Sequence, residues 1–147
     1  MSADVCIVGA GPGGCAAALQ LAKHGVTTLL IDKAEFPRDK VCGDALSGKV
    51  MRSLERLDPG LVVELRKRTA LEPSWGVTFV APGGRALRVP FSRETGAGEA
   101  PGAILPRMEF DHFMLQAVKR DGRMPVLEDT TAKEFKRTDK GWAITLA

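Results

Sequence analysis

The chain is poor in the features that announce several kinds of protein. It has three cysteines, Cys6, Cys15 and Cys42, an odd number without metal-like spacing, so neither a disulfide framework nor a bound metal is expected. Cys6 and Cys15 fall in apolar segments and read as small buried hydrophobes; only Cys42 falls in a loop where a thiol could matter. No apolar run approaches the roughly 20 residues that cross a bilayer, and no basic leader precedes the first apolar stretch. A cytoplasmic chain, at most peripheral to a membrane, is the expectation. The net charge of +3 is too small to argue for nucleic acid. At 147 residues, with 44% hydrophobic and 27% charged residues, the composition is that of a globular domain.

What is present is concentrated near the start. Val5-Cys6-Ile7-Val8 is a short β-branched run, the pattern of a parallel strand buried on both faces. It leads directly into Gly9-Ala10-Gly11-Pro12-Gly13-Gly14, which satisfies G-x-G-x-x-G through Gly9, Gly11 and Gly14. In such a turn the first glycine allows the tight bend, the second lets backbone approach a pyrophosphate, and the third lets helix and strand pack closely. The phosphate then rests on free N–H groups at the positive end of the helix dipole. Small apolar residues continue at helical spacing to His24-Gly25, and Val26 to Ile31 forms a second strand closing on Asp32. An acid about 20 residues past the glycines is placed to accept hydrogen bonds from ribose hydroxyls. Gly9 to Gly14, Asp32 and the adjacent Lys33 are therefore candidates for binding a dinucleotide; the alternative is a glycine-rich helix entry in an ordinary α/β core. The fingerprint does not choose between FAD and NAD, which share the same ADP half.

Beyond Asp32 the chain is harder to parse. Residues 33–46 show no period and are long for a strand-to-helix connection, as functional loops are. Arg38 and Lys40 could contact phosphate or simply be solvated. Leu46, Val50, Leu54 and Leu57 then share one face of a predicted helix, and Asp58-Pro59 should cap and start another. From Trp75 the texture alternates, with Pro82-Gly83-Gly84 turning a β-hairpin back through Arg85 to Val89. Ser92 to Gly102 is glycine-rich and polar, hence expected to be mobile or ordered by a ligand. Phe110, Phe113, Met114, Ala117 and Val118 line a further helix. On it Glu109 and Asp111 read as first-turn acids that favour the dipole, not as an acid/base dyad, and His112 as an exposed residue. Val126 to Glu128 and Thr131 to Arg137 read as strands, Thr138 to Gly141 as a turn, and Trp142 to Leu146 as a strand pairing back; the run Gly141 to Ala147, with no turn after it, suggests a fragment of a larger fold.

The fingerprint followed by Phe36-Pro37-Arg38-Asp39-Lys40-Val41-Cys42-Gly43-Asp44-Ala45-Leu46 resembles flavin-dependent oxidoreductases of the geranylgeranyl reductase type, within the p-hydroxybenzoate-hydroxylase-like class. The family usually has glutamate where this chain has Asp32. The resemblance implies that the first βαβ unit holds the ADP half of FAD, and that Arg38, Cys42, Gly43 and Asp44 approach the cofactor, with Cys42 nearest the isoalloxazine and a candidate catalytic group. Arg107-Met108-Glu109-Phe110-Asp111 is similar to an R-x-x-F-D segment of the same family, whose arginine contacts the flavin. That role would fall to Arg107, which could otherwise cap a neighbouring carbonyl.

The expected fold is therefore α/β: a Rossmann-like FAD-binding βαβ unit in residues 1–72, an antiparallel, substrate-facing β piece in 73–103, and a return to the FAD-binding portion in 104–147. The activity implied by the resemblance is reduction of C=C bonds in an isoprenoid chain. FAD would be the cofactor, NAD(P)H a transient electron donor, and a small or lipid-like molecule the substrate. A flavin monooxygenase or halogenase, or an inactive nucleotide-binding piece, is the alternative.

Overall fold

The computed structural model describes residues 2–91 and 98–147. Its elements in chain order are β1 (Val5–Val8), α1 (Pro12–Lys23), β2 (Thr28–Ile31), β3 (Ala45–Leu46), α2 (Gly48–Leu57), α3 (Pro59–Arg66), β4 (Glu72–Ser74), β5 (Gly76–Val80), β6 (Ala86–Pro90), β7 (Gly102–Ile104), α4 (Arg107–Asp121), β8 (Val126–Leu127), β9 (Ala132–Thr138) and β10 (Gly141–Leu146). This is the mixed α/β architecture expected. The chain forms two compact units, Met1–Lys40 with Met108–Ala147, and Val41–Arg107; these bounds differ from the segments 1–72, 73–103 and 104–147.

In the first unit β1, β2 and β8 make a parallel sheet in that order. Its centre is β2, and Thr28, Leu29, Leu30 and Ile31 are all buried. As an edge strand β1 is only half-buried, not covered on both faces, and Cys6 is correspondingly half-buried. Helix α1 packs on both strands and buries Cys15, Ala18, Leu19 and Ala22. Small residues dominate that face because the helix must lie close to the sheet. Most of the remaining core comes from α4, where Phe110, Phe113, Met114, Leu115, Ala117 and Val118 are buried. The strands β9 and β10 pair antiparallel on their own.

Among the described residues the second unit holds two antiparallel sheets. One has the order β3-β7-β4, with Ala45 opposite Ile104 and Glu72 opposite that same residue on the other side. The other is the β5–β6 hairpin, whose register runs from Gly76 opposite Pro90 to Val80 opposite Ala86. Helix α2 buries Met51, Leu54 and Leu57. Leu46, expected on that helix, belongs instead to β3, because the helix begins only after Ser47. Asp58 caps α3 as anticipated, its Oδ1 accepting the Gly60 N–H at 2.8 Å. The expectation for Ser92 to Gly102 falls partly outside the described residues; within them Ala100 is buried and Gly102 opens β7.

Candidate functional site

The glycine turn is held from below by its own strands. Gly9 lies at φ 113°, a conformation that favours glycine, and its N–H donates to the Ile31 carbonyl at 2.7 Å. A Cβ at Gly14 would sit 1.9 Å from the Gly9 carbonyl oxygen, far inside any non-bonded contact. The third glycine is thus required by the protein itself, where α1 crosses the end of β1. At Gly11, with ordinary φ of −68°, the situation is opposite. Among the described residues a Cβ there would come within 4 Å of one atom only, Nη2 of Arg38, at 3.7 Å. The protein does not demand glycine at this position; a group laid against the backbone between the turn and the guanidinium would.

The head of α1 supplies the donors. First-turn N–H groups of a helix lack intrahelical partners. Here Pro12 has none to offer, and the Cys15 N–H donates to the Gly11 carbonyl at 2.9 Å. Gly13 and Gly14 remain at the helix head, where the dipole favours an anion. Ala10 is fully buried and its N–H donates to Asp32 Oδ2 at 2.7 Å, so its amide serves the fold. Asp32, 7% exposed, also accepts the Ala34 N–H on Oδ1 at 2.9 Å. A carboxylate offers about four acceptor sites, so two acceptances of the kind a ribose diol would use remain. Its carbonyl accepts from Thr130 and its N–H donates to Leu127, each at 2.9 Å, which fixes the acid at the carboxyl end of β2. Lys33, beside it, is exposed.

Arg38 is anchored on two sides. Nη1 lies 3.3 Å from Asp111 Oδ2 on α4, with the Asp111 side chain wholly buried and that of Arg38 20% exposed. The guanidinium carbon is 4.7 Å from the centroid of the Phe36 ring, within cation–π range. Phe36 is itself buried, and its N–H donates to Glu128 Oε1 at 2.9 Å. Lys119 pairs with the other oxygen of Glu128. Next to this group is Cys15, whose Sγ donates to the Ala10 carbonyl at 3.2 Å. Burial, then the charges of Asp111 and Asp32, push its thiol up to about 12, against an opposing pull from Arg38.

The remaining candidates belong to the second unit. Cys42, Gly43 and Asp44 are exposed. Asp44 Oδ1 accepts the Arg107 N–H at 3.1 Å and its carbonyl accepts the Leu105 N–H at 2.9 Å. Through Asp44 the backbone of Arg107 and the Cys42 loop are brought together within that unit. The Cys42 side chain is exposed.

Two expectations on α4 are corrected. Asp111 is not a first-turn acid but a buried partner of Arg38, and no sequence-local signal marks it, since the two are far apart in the chain. His112 is half-buried, with Nδ1 out of solvent and without a hydrogen-bond partner, because α4 is covered on more sides than its apolar stripe suggested. Among the described residues no group of three or more His, Cys, Asp or Glu side chains could hold a metal, and no helix is long and apolar enough to cross a membrane.

A family model described as "FAD binding domain" matches residues 2–146. Digeranylgeranylglycerophospholipid reductase 3 of Methanosphaera stadtmanae is 33% identical over 144 residues, 97% of this chain and 34% of that protein. Menaquinone reductase of Mycolicibacterium smegmatis is 46% identical over 66 residues, 45% of this chain and 16% of that protein. Among solved structures a flavoprotein/dehydrogenase from Cytophaga hutchinsonii superposes with a TM-score of 0.82 at 26% identity, over 97% of this chain and 34% of that one. The chain thus spans about a third or less of the length of these proteins.

Proposed function

Since the chain belongs to the FAD binding domain family, with FAD as its cofactor, we propose that it forms the ADP-holding part of a flavin-dependent reductase acting on C=C bonds of an isoprenoid chain. The observation that carries the substrate class is the 33% identity to a digeranylgeranylglycerophospholipid reductase along nearly the whole chain. Bound FAD would supply the hydride chemistry; the protein's part is to hold and orient it. The Gly13 and Gly14 amides at the head of α1 would receive the diphosphate, with Gly11 allowing its close approach and Arg38 adding a charged donor. Asp32 would accept from the ribose through its two remaining acceptor sites, with Lys33 at its rim. Cys42, Gly43, Asp44 and Arg107 would lie toward the flavin, where Asp44 ties the loop to the backbone of Arg107. NAD(P)H is the proposed donor of reducing equivalents.

The cofactor part is tested by titrating the chain with FAD and following flavin fluorescence. Wild type should bind, whereas Gly11→Ala should bind at least about tenfold more weakly with an unchanged melting temperature, because its Cβ meets no backbone. Wild type that leaves FAD free would overturn the assignment. The substrate class needs the full-length protein. Anaerobic reoxidation of the reduced flavin by a geranylgeranylated lipid supports a reductase, and reoxidation by oxygen alone with product hydroxylation refutes it. Residues 1–147 alone are expected to turn over weakly or not at all.

A further inference from the structure

We propose that Asp111 is a positioning residue for the cofactor's diphosphate: its buried carboxylate holds Nη1 of Arg38 at 3.3 Å, which keeps Nη2 beside Gly11, 3.7 Å from where a Cβ there would sit. This deepens the assignment above and rests on it.

The geometry supplies the reason. A guanidinium is a rigid planar fork, so fixing one nitrogen fixes the direction of the other. Here the two terminal nitrogens face different partners. Nη1 is turned to α4, and Nη2 is the one atom that a Cβ on Gly11 would approach. The Phe36 ring at 4.7 Å constrains the plane from a third side. A surface arginine would sample many rotamers and lose that freedom on meeting an anion; this one has lost it beforehand.

Stability alone does not account for the pair. A carboxylate with no exposed side-chain surface is costly to desolvate, and replacing a buried ion pair by apolar residues of similar volume is often neutral or stabilising. What the pair provides that apolar residues cannot is a fixed cation beside the glycine turn. Asp111 stands on α4, an element that contributes no residue to the fingerprint. The site would therefore be completed by a helix whose Asp111 lies 97 positions after Gly14 in the chain. The hydrogen-bonded Phe36–Glu128 link holds the intervening loop in place.

The test uses Asp111→Asn, which keeps the shape and removes the charge, with FAD, ADP and adenosine as separate probes. Asp111→Asn should weaken FAD and ADP about tenfold and leave adenosine unchanged, because only the first two carry a diphosphate. Asp111→Glu should recover part of the loss. Equal weakening of adenosine would make Asp111 a general structural residue and overturn the proposal, as would undiminished ADP binding. If wild type binds adenosine but gains nothing from the diphosphate, Asp111 has no such role; if it binds none of the three, the cofactor assignment itself fails. Should Asp111→Asn be too unstable to titrate, Arg38→Leu and Arg38→Leu/Asp111→Leu decide the matter, the double variant leaving no buried charge alone. Equal ADP affinities in the two support action through Arg38, and a further loss in the double variant refutes it.

Discussion

The parallel sheet and the β5–β6 hairpin are built from similar residues and meet opposite fates. Thr28-Leu29-Leu30-Ile31 is buried along its whole length, whereas Ala86-Leu87-Arg88-Val89-Pro90 is exposed along its whole length. Both contain β-branched and apolar side chains, so strand propensity does not separate them. The difference is company: β2 has a strand on each edge and α1 on a face, while among the described residues each hairpin strand has one neighbouring strand. Burial follows from how many elements converge on a strand, and the glycine turn is what allows α1 to converge on this one.

The sharpest way to break the contrast is to lift α1 off the sheet. Gly14→Ala places a methyl 1.9 Å from the Gly9 carbonyl oxygen, a backbone atom that cannot rotate away. The expected loss lies at the extreme of single substitutions, about 4–5 kcal/mol, measured as a collapse of the denaturant midpoint. It should differ in kind from Gly11→Ala, which spares stability and affects the ligand. Loss of less than about 1 kcal/mol would mean that the close approach of helix and strand is not what buries β2.

A second effect comes from the same region and depends on pH. The Cys15 thiol is pushed up to about 12, with burial as the main cause, while in the unfolded chain it titrates near its ordinary 9. A raised folded value means that the contribution is complete below about pH 9 and is lost as pH climbs toward 12, since the unfolded chain releases the proton first. The loss should be about 1.4 kcal/mol between pH 8 and pH 10. Measured as unfolding free energy relative to Cys15→Ala, wild type should lose that advantage; parallel pH curves for the two proteins would contradict it. In the native state Cys42, which is exposed, should react with a thiol reagent well before Cys15.

The contrast also explains what could be read in advance. The strand, turn, helix, strand and acid from Val5 to Asp32 are consecutive, and each glycine has a local job, so the pattern is visible in the letters. The Asp58-Pro59 helix start and the Gly83-Gly84 hairpin are local in the same sense. What was not legible depends on distance. The strands β3 and β7 pair Ala45 with Ile104; two or three residues cannot display alternation, and β4 contains Pro73, which argues against a strand. Leu46 kept the helical spacing of Leu54 and Leu57 although a strand and a cap intervene. Most tellingly, Asp111 carried the local signature of a helix-dipole acid, and only the folded chain turns it toward Arg38. The candidate site was thus half readable: its glycine turn and its arginine in the sequence, the carboxylate that fixes that arginine only in three dimensions.

The mildest test addresses the exposed side of the comparison. On the hairpin Val77 opposes Val89 and Phe79 opposes Leu87, and the two pairs fall on one face because side chains alternate along a strand. They are 40% to 64% exposed, so their apolar area gains little from folding. Phe79→Thr and Leu87→Thr keep strand propensity through a β-branched side chain and remove the apolar pair. The expected change in stability is below about 1 kcal/mol for each, since what is lost is a cross-strand contact and not a core residue. A loss of about 3 kcal/mol, the scale of a deleted core side chain, would show that this face is covered in solution. In that case apolar content alone would have predicted burial after all, and the number of converging elements would no longer be the deciding variable.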